Sequence, residues 1–170
     1  VNIKIIVQHP FGIDDGADLR KGGIVTAKRW QGILQDLGHQ VSLSNDCQGA
    51  GCDLMVALHA YRSAAPIQAF KEHFPNKPLF VCLTGTDLYQ DIHSKDDAIR
   101  SLELADVLIG LHPNAAEDLP GEFRARVVTI IQSAEKPSIA SKPSVDHFDI
   151  CVIGHLREVK DPFRAAEAAR

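Results

Sequence analysis

Six short apolar runs recur along this chain: Ile3 to Val7, Val41 to Leu43, Leu54 to Leu58, Leu79 to Leu83, Val107 to Leu111 and Val127 to Ile131. They are rich in Val, Ile and Leu and show little alternation with polar residues, as strands buried on both faces should. Helical patterns lie between several of them. The clearest opens after Gly22-Gly23, carries Ala27, Trp30, Leu34 and Leu37 on one face, and closes at Gly38, where glycine tolerates a left-handed cap. Further helices fit Ala64 to His73, with Pro66 in the first turn, and Asp97 to Ala105. Strand and helix alternate, so the pattern predicts an α/β fold built on a mainly parallel sheet.

The segment Ser133 to His147 breaks this rhythm, with Pro137 and Pro143 among Ser, Lys and Ala, and reads as a linker. Beyond it the pattern restarts. Asp149 to Ile153 is an apolar run, Gly154 to Lys160 is a charged loop, and Asp161-Pro162 suits a helix start, with Asp161 as cap and Pro162 at the first helical position. The expected organisation is a first domain over 1–134, a linker over 135–147 and the opening of a second domain over 148–170. A chain so divided lacks most of its second domain and is expected to turn over little or no substrate alone. His155, Arg157 and Lys160 stand just ahead of the expected helix. There, backbone N–H groups, the positive end of the helix dipole and cationic side chains would converge on a phosphate or diphosphate.

Charge and composition exclude several classes. Lys and Arg total 18 against 22 Asp and Glu, a net charge of −4, which offers no basic face for nucleic acid or for a large lipid acceptor. No charged leader precedes an apolar stretch, and no uninterrupted apolar run approaches the roughly 18 residues of a membrane span. The reading is a soluble, cytoplasmic chain without membrane insertion. The four cysteines, Cys47, Cys52, Cys82 and Cys151, read as reduced thiols, two of them within expected core strands. Cys47 and Cys52 are close enough in sequence to raise the question of a bridge. No Cys or His pairs stand at zinc-site spacing, so no metal is assigned.

In an open parallel sheet, ligands bind in the crevice outside the carboxyl ends of the strands. That rule selects the loops Gln8 to Gly23, His59 to Ser63, Thr84 to Asp91, His112 to Asn114 and Gln132 to Ala134. Gly22-Gly23 would let a ligand approach the backbone at a helix start, with Thr26 and Arg29 in the turns that follow. The pair lacks the Gly-x-Gly-x-x-Gly pattern of dinucleotide binding, which counts against a nicotinamide cofactor. His59 ends a buried strand, with Arg62 and Ser63 in the next turn, and suits positioning a substrate or moving a proton. Thr84, Gly85, Thr86, Asp87 and Tyr89 combine a bend with hydroxyl and carboxylate groups fit for a sugar or for orienting a neighbour. The same residues also read as a capped turn, with Asp87 or Thr86 holding a helical turn. Gln132 and Ser133 lie where the chain leaves for the second domain. His59 and Asp87 are the catalytic candidates, and the remaining residues are candidates for binding substrate. No Asp-x-Asp is present, so there is no sequence argument for a metal-bound nucleotide diphosphate, and His155, Arg157 and Lys160 would supply the positive charge instead.

Several of these strings resemble one family. The whole chain is similar to the amino-terminal half of a two-domain GT-B glycosyltransferase of the group-1 (family 4) type. Gly22-Gly23 and Asp36-Leu-Gly-His-Gln-Val41 resemble its Gly-Gly loop and Leu-x-x-x-Gly-His-x-Val segment, and Gly154 to Lys160 resembles its Gly-Arg-Leu-x-x-x-Lys motif. His155 stands where that family has Arg, with Arg157 two residues on, and Lys160 matches. The strings Thr26 to Trp30, Ala57 to Ser63, Leu83 to Tyr89 and Gly154 to Pro162 together resemble, more narrowly, the selenosugar synthases of selenoneine biosynthesis. The resemblance implies a Rossmann-like acceptor-side domain followed by the start of a nucleotide-sugar-binding domain. It implies His155, Arg157 and Lys160 as donor diphosphate ligands. It also implies metal-independent transfer of a sugar from a UDP-sugar co-substrate to selenophosphate, with no separate cofactor.

Two other readings remain open on the residues. An ordinary glycosyltransferase with an alcohol or other small-molecule acceptor shares the fold and the donor chemistry. A non-catalytic α/β binding module would tolerate changes at Lys160 as readily as distant surface changes. The residues leave the oligomeric state open.

Overall fold

A computed structural model describes residues 1–8, 22–47, 51–134, 136, 145–147, 150–154 and 161–168. Six strands form one all-parallel sheet: β1 (Asn2–Val7), β2 (Gln40–Ser44), β3 (Leu54–Leu58), β4 (Leu79–Leu83), β5 (Val107–Gly110) and β6 (Val127–Thr129). Their order is β2-β1-β3-β4-β5-β6. Five α-helices are described: α1 (Gly22–Asp36), α2 (Ala64–His73), α3 (Gly85–Tyr89), α4 (Asp96–Leu104) and α5 (Arg164–Ala168). The arrangement is Rossmann-like, with helices on both faces of the sheet.

The lack of alternation has a direct cause, because successive residues of each strand feed two different cores. On one face Ile3, Ile5, Val7, Val56 and Leu58 pack with Ile24 and Ala27 of α1, and Trp30 and Leu34 lie against them. On the other face Ile6, Met55, Ala57, Leu79 and Val81 pack with Ile67 and Phe70 of α2 and with Ala98 and Leu102 of α4. Right-handed crossovers decide which helix covers which face. The step from β1 through α1 to β2 runs one way along the sheet. The steps from β3 to β6 run the other way, so α2 and α4 fall on the opposite side.

Several bounds differ from those expected of the sequence. The last strand stops at Thr129, because Ile130 and Ile131 are exposed and, after the Ile130 N–H bonds to Gly110, no further ladder follows. Leu37 is exposed and outside α1, since the chain turns there. Gly38 takes a φ of +85°, and the Gly38 and His39 N–H groups close onto the carbonyls of Gln35 and Leu34. Helix α4 runs one residue earlier than expected. The cysteines are all thiols, including Cys47 and Cys52.

The chain divides into two compact units, Val1–Gln132 and Ser133–Arg170. In the second unit, the expected strand from Asp149 to Ile153 is not formed among the described residues. A strand needs a partner ladder, and Ile150 to Ile153 are exposed with none. Helix α5 begins at Arg164 rather than at Pro162. Asp161 has a φ of +42°, away from the extended conformation of a helix cap, and its carbonyl accepts the Arg164 N–H at 3.3 Å. Among the described residues, no helix is long and apolar enough to cross a membrane.

One glycine is fixed by close approach. A Cβ on Gly110, at the end of β5, would lie 2.6 Å from the Ala115 Cβ and 3.3 Å from Val127 Cγ1. Gly110→Ala is therefore expected to destabilise the chain by about 1–3 kcal/mol, read as a lowered urea midpoint at unchanged slope.

Candidate functional site at the strand switch

Strand β1 is flanked by β2 and β3, and the chain leaves the pair in opposite directions, so the topological switch point lies between β1 and β3. Ligands of open parallel sheets bind outside the carboxyl ends at such a point. Two elements border it: the start of α1, at Gly22-Gly23, and the turn after β3, which begins with His59. Among the described residues, a Cβ on Gly22 would meet nothing within 4 Å, and on Gly23 only Val7 Cγ2 at an ordinary 3.5 Å. Glycine at these two positions leaves room beside the backbone at this helix start that the described neighbours do not use.

His59 takes a φ of +76° although it carries a side chain. Such a conformation costs on the order of 1–3 kcal/mol and persists only where the surroundings over-determine it. Here they do. The His59 N–H donates to the Cys82 carbonyl at 2.9 Å, its carbonyl accepts the Ser63 N–H at 3.0 Å, and the next N–H, of Ala60, donates to Asp87 Oδ2 at 2.8 Å. The ring is buried, and its nitrogens are distinguishable. Nδ1 accepts the Arg62 backbone N–H at 3.3 Å, so the proton of the neutral ring resides on Nε2. Nε2 is itself buried and has no hydrogen-bond partner among the described residues, with Asp91 Oδ2 3.7 Å away. Burial, followed by the nearby Arg62 charge, lowers the His59 pKa to about 4. At neutral pH this histidine is a hydrogen-bond donor whose one lone pair is engaged. It is not a ready base.

Asp87 is fully buried, and its carboxylate is occupied. Oδ1 accepts the Thr84 N–H and the Thr84 hydroxyl, both at 2.7 Å, and Oδ2 accepts the Ala60 N–H. The bond to the Thr84 N–H is the return half of a capping box, which explains why Gly85–Tyr89 is helical despite its glycine and threonine. Asp87 Oδ2 lies 3.9 Å from His59 Nδ1, but both atoms are acceptors here, so they share no hydrogen bond. Burial pushes the Asp87 pKa up to about 6, opposed by those hydrogen bonds.

The two shifts act oppositely on stability. His59, with a folded pKa near 4 against 6.5 unfolded, adds stability that is present above pH 6.5 and lost as pH falls through 4. Asp87, with a folded pKa near 6 against 3.8, adds stability that is present below pH 3.8 and lost as pH rises through 6. The two contributions offset across that window. The wild type is therefore expected to lose up to roughly 3 kcal/mol relative to His59→Gln between pH 6.5 and pH 4, measured by urea unfolding.

The other candidate residues separate into groups. Thr26 is buried in the first turns of α1, donates to the Gly22 carbonyl at 2.9 Å and accepts from Gln132 Nε2 at 2.8 Å, so the chain beyond β6 reaches the start of α1. Arg29 lies partly buried on α1, Arg62 is exposed in the turn after β3, and the buried Ser63 hydroxyl donates to the Leu58 carbonyl at 2.7 Å. Thr84, Gly85 and Thr86 form the start of α3. Tyr89, at its end, is exposed and bonds His112 Nε2 at 2.9 Å. Ser133 is exposed in the second unit. His155, Arg157 and Lys160 lie outside the described residues. Two residues not singled out in the sequence join the rim, Asp91 beside His59 and His112 beside Tyr89. Both sit within the crevice loops.

Compared with protein-family models and with curated proteins, the chain matches none.

Proposed function

We propose that the protein is a GT-B glycosyltransferase, and specifically a selenosugar synthase that transfers a sugar from a UDP-sugar to selenophosphate. The observation that carries this reading is the state of His59. At the switch point stands a neutral imidazole whose Nδ1 lone pair is engaged by the Arg62 N–H and whose Nε2 bears the proton. A transferase acting on an alcohol needs a group to take the hydroxyl proton, and this histidine is ill suited to that task. Selenophosphate needs no such base, because its selenium is already anionic.

In the proposed reaction the selenium lone pair attacks the anomeric carbon. The carbon–selenium bond forms as the bond from that carbon to the diphosphate oxygen breaks, and UDP leaves with the electron pair. Arg29 and Arg62, with the backbone N–H groups at Gly22-Gly23, would hold the phosphate of selenophosphate and aim its selenium. His155, Arg157 and Lys160 would hold the donor diphosphate and take up the charge that develops on UDP.

The test is the rate of UDP release from UDP-glucose by the full-length protein as selenophosphate is varied, for wild type, Arg29→Ala and Arg62→Ala. Release should require selenophosphate, and each substitution should raise its KM about tenfold or more, the worth of a charge-assisted hydrogen bond. Unchanged selenophosphate dependence in both variants would mean that the acceptor site has been put in the wrong place. Release that requires an alcohol instead would make the protein an ordinary glycosyltransferase.

A further inference from the structure

Beside the His59 ring stands a donor and acceptor pair that the fold leaves incomplete. Among the described residues His59 Nε2–H is buried without an acceptor, and Asp91 Oδ2 lies 3.7 Å from Nε2, beyond hydrogen-bond reach. Asp91 opens a short 3₁₀ turn, Asp91–His93, after α3. Its carbonyl is used by the N–H groups of Ser94 and Lys95, whereas no hydrogen bond to its carboxylate is found among the described residues. The other nearby carboxylate offers no alternative acceptor, since Asp87 is filled by Thr84 and Ala60. His59 is fixed by its backbone bonds and by Arg62. The Asp91 side chain, at 15% exposure against 10% for the ring, stands at the outer end of the pair.

A group that completes such a pair must accept from the imidazole and donate to the carboxylate at once. A hydroxyl does both through one atom, whereas a phosphate oxygen or a carbonyl would only accept and would meet Asp91 with like charge or no proton. An oxygen about 2.8 Å from each atom closes a triangle on the 3.7 Å base. Nε2 is buried, so the groups that cover it must shift to admit that oxygen.

We propose that His59 and Asp91 together form a hydroxyl-binding subsite that reads one hydroxyl of the transferred sugar, with Asp91 a specificity-determining residue. This rests on the glycosyl-transfer reading and adds to it the residue pair that senses the sugar. Asp91 is the sharper place to test it, because it does not share in the bonds that hold the turn after β3.

The experiment compares UDP-glucose with its four singly deoxygenated analogues on full-length wild type, Asp91→Ala and Asp91→Asn. Both kcat/KM and binding by ligand-observed NMR are recorded, and thermal melting checks that each variant is folded. In the wild type, one analogue should lose on the order of tenfold to a hundredfold, the worth of a hydrogen bond to a charged group, with the other three much less affected. Asp91→Ala should erase that one discrimination and leave the other three unchanged. Asp91→Asn, which keeps a carbonyl acceptor, should retain part of it and guards against misfolding of the alanine variant. If Asp91→Ala lowers all five substrates equally, or no analogue is discriminated, the subsite is wrong while glycosyl transfer stands. If neither UDP-glucose nor UDP-N-acetylglucosamine binds or turns over, the glycosyl-transfer reading fails and the subsite falls with it.

Discussion

Asp87→Ala is expected to destabilise the chain by about 3 kcal/mol or more at neutral pH, seen as a fall in the urea midpoint. The carboxylate is fully buried and accepts three hydrogen bonds, from the Ala60 N–H, the Thr84 N–H and the Thr84 hydroxyl. Removing it leaves two backbone donors without an acceptor in a dry environment, each costing about 1–3 kcal/mol. The raised pKa, near 6, means that ionised Asp87 is itself held at a cost above that pH, so the loss is smaller than the three bonds taken alone would give. The consequence extends to the site. Asp87 joins the turn after β3 to the helix after β4, and without it the left-handed backbone at His59 loses one of the bonds that enforce it. The carboxylate thus positions the imidazole through the backbone, with no side-chain hydrogen bond between them.

Phe70→Ala should cost about 3–5 kcal/mol, the range for truncating a large aromatic in a well-packed core. Phe70 is 1% exposed on α2, within the core that α2 and α4 share with the sheet, and its ring lies 5.6 Å from that of Phe74. Trp30→Ala, on the opposite face, is expected to cost less, because Trp30 is only partly buried against α1's core. Chemical denaturation of both variants reads the difference, which follows from depth of burial rather than from residue size.

That two-sidedness was the part of the fold most legible in the sequence. Val, Ile and Leu at successive positions, as in Leu54 to Leu58, leave no wet face, and a parallel sheet with helices on both sides satisfies such a strand. Helix α2 was legible to the residue, from its Pro66 and its apolar spacing. Edges were read less well. Ile130 and Ile131 look like strand, but both side chains are exposed and the ladder ends with the Ile130 N–H bond to Gly110. The apolar run ending at Ile153 makes the same point, since without a neighbouring ladder its described residues stay unpaired and exposed.

At the candidate site, His59 and Asp87 were visible as residue types, and a capped turn was legible with Asp87 or Thr86 as its cap, whereas the cap is Thr84 with Asp87 at the third helical position. The division of labour between His59 and Asp87 was not legible. Which nitrogen of His59 carries the proton depends on an N–H three residues away in a left-handed turn, and no periodicity encodes that. Asp91 gave no signal by itself, because a carboxylate in a crevice loop becomes a partner of His59 only once β3 and β4 lie side by side.

The measurement that reaches the central claim most directly is mass spectrometry of the products formed by the full-length protein from UDP-glucose or UDP-N-acetylglucosamine, with and without enzymatically made selenophosphate. The account predicts a new sugar species that carries the selenium isotope pattern and that forms only when protein, UDP-sugar and selenophosphate are all present. UDP release without selenium in any sugar product, or no reaction until an alcohol acceptor is added, would contradict it.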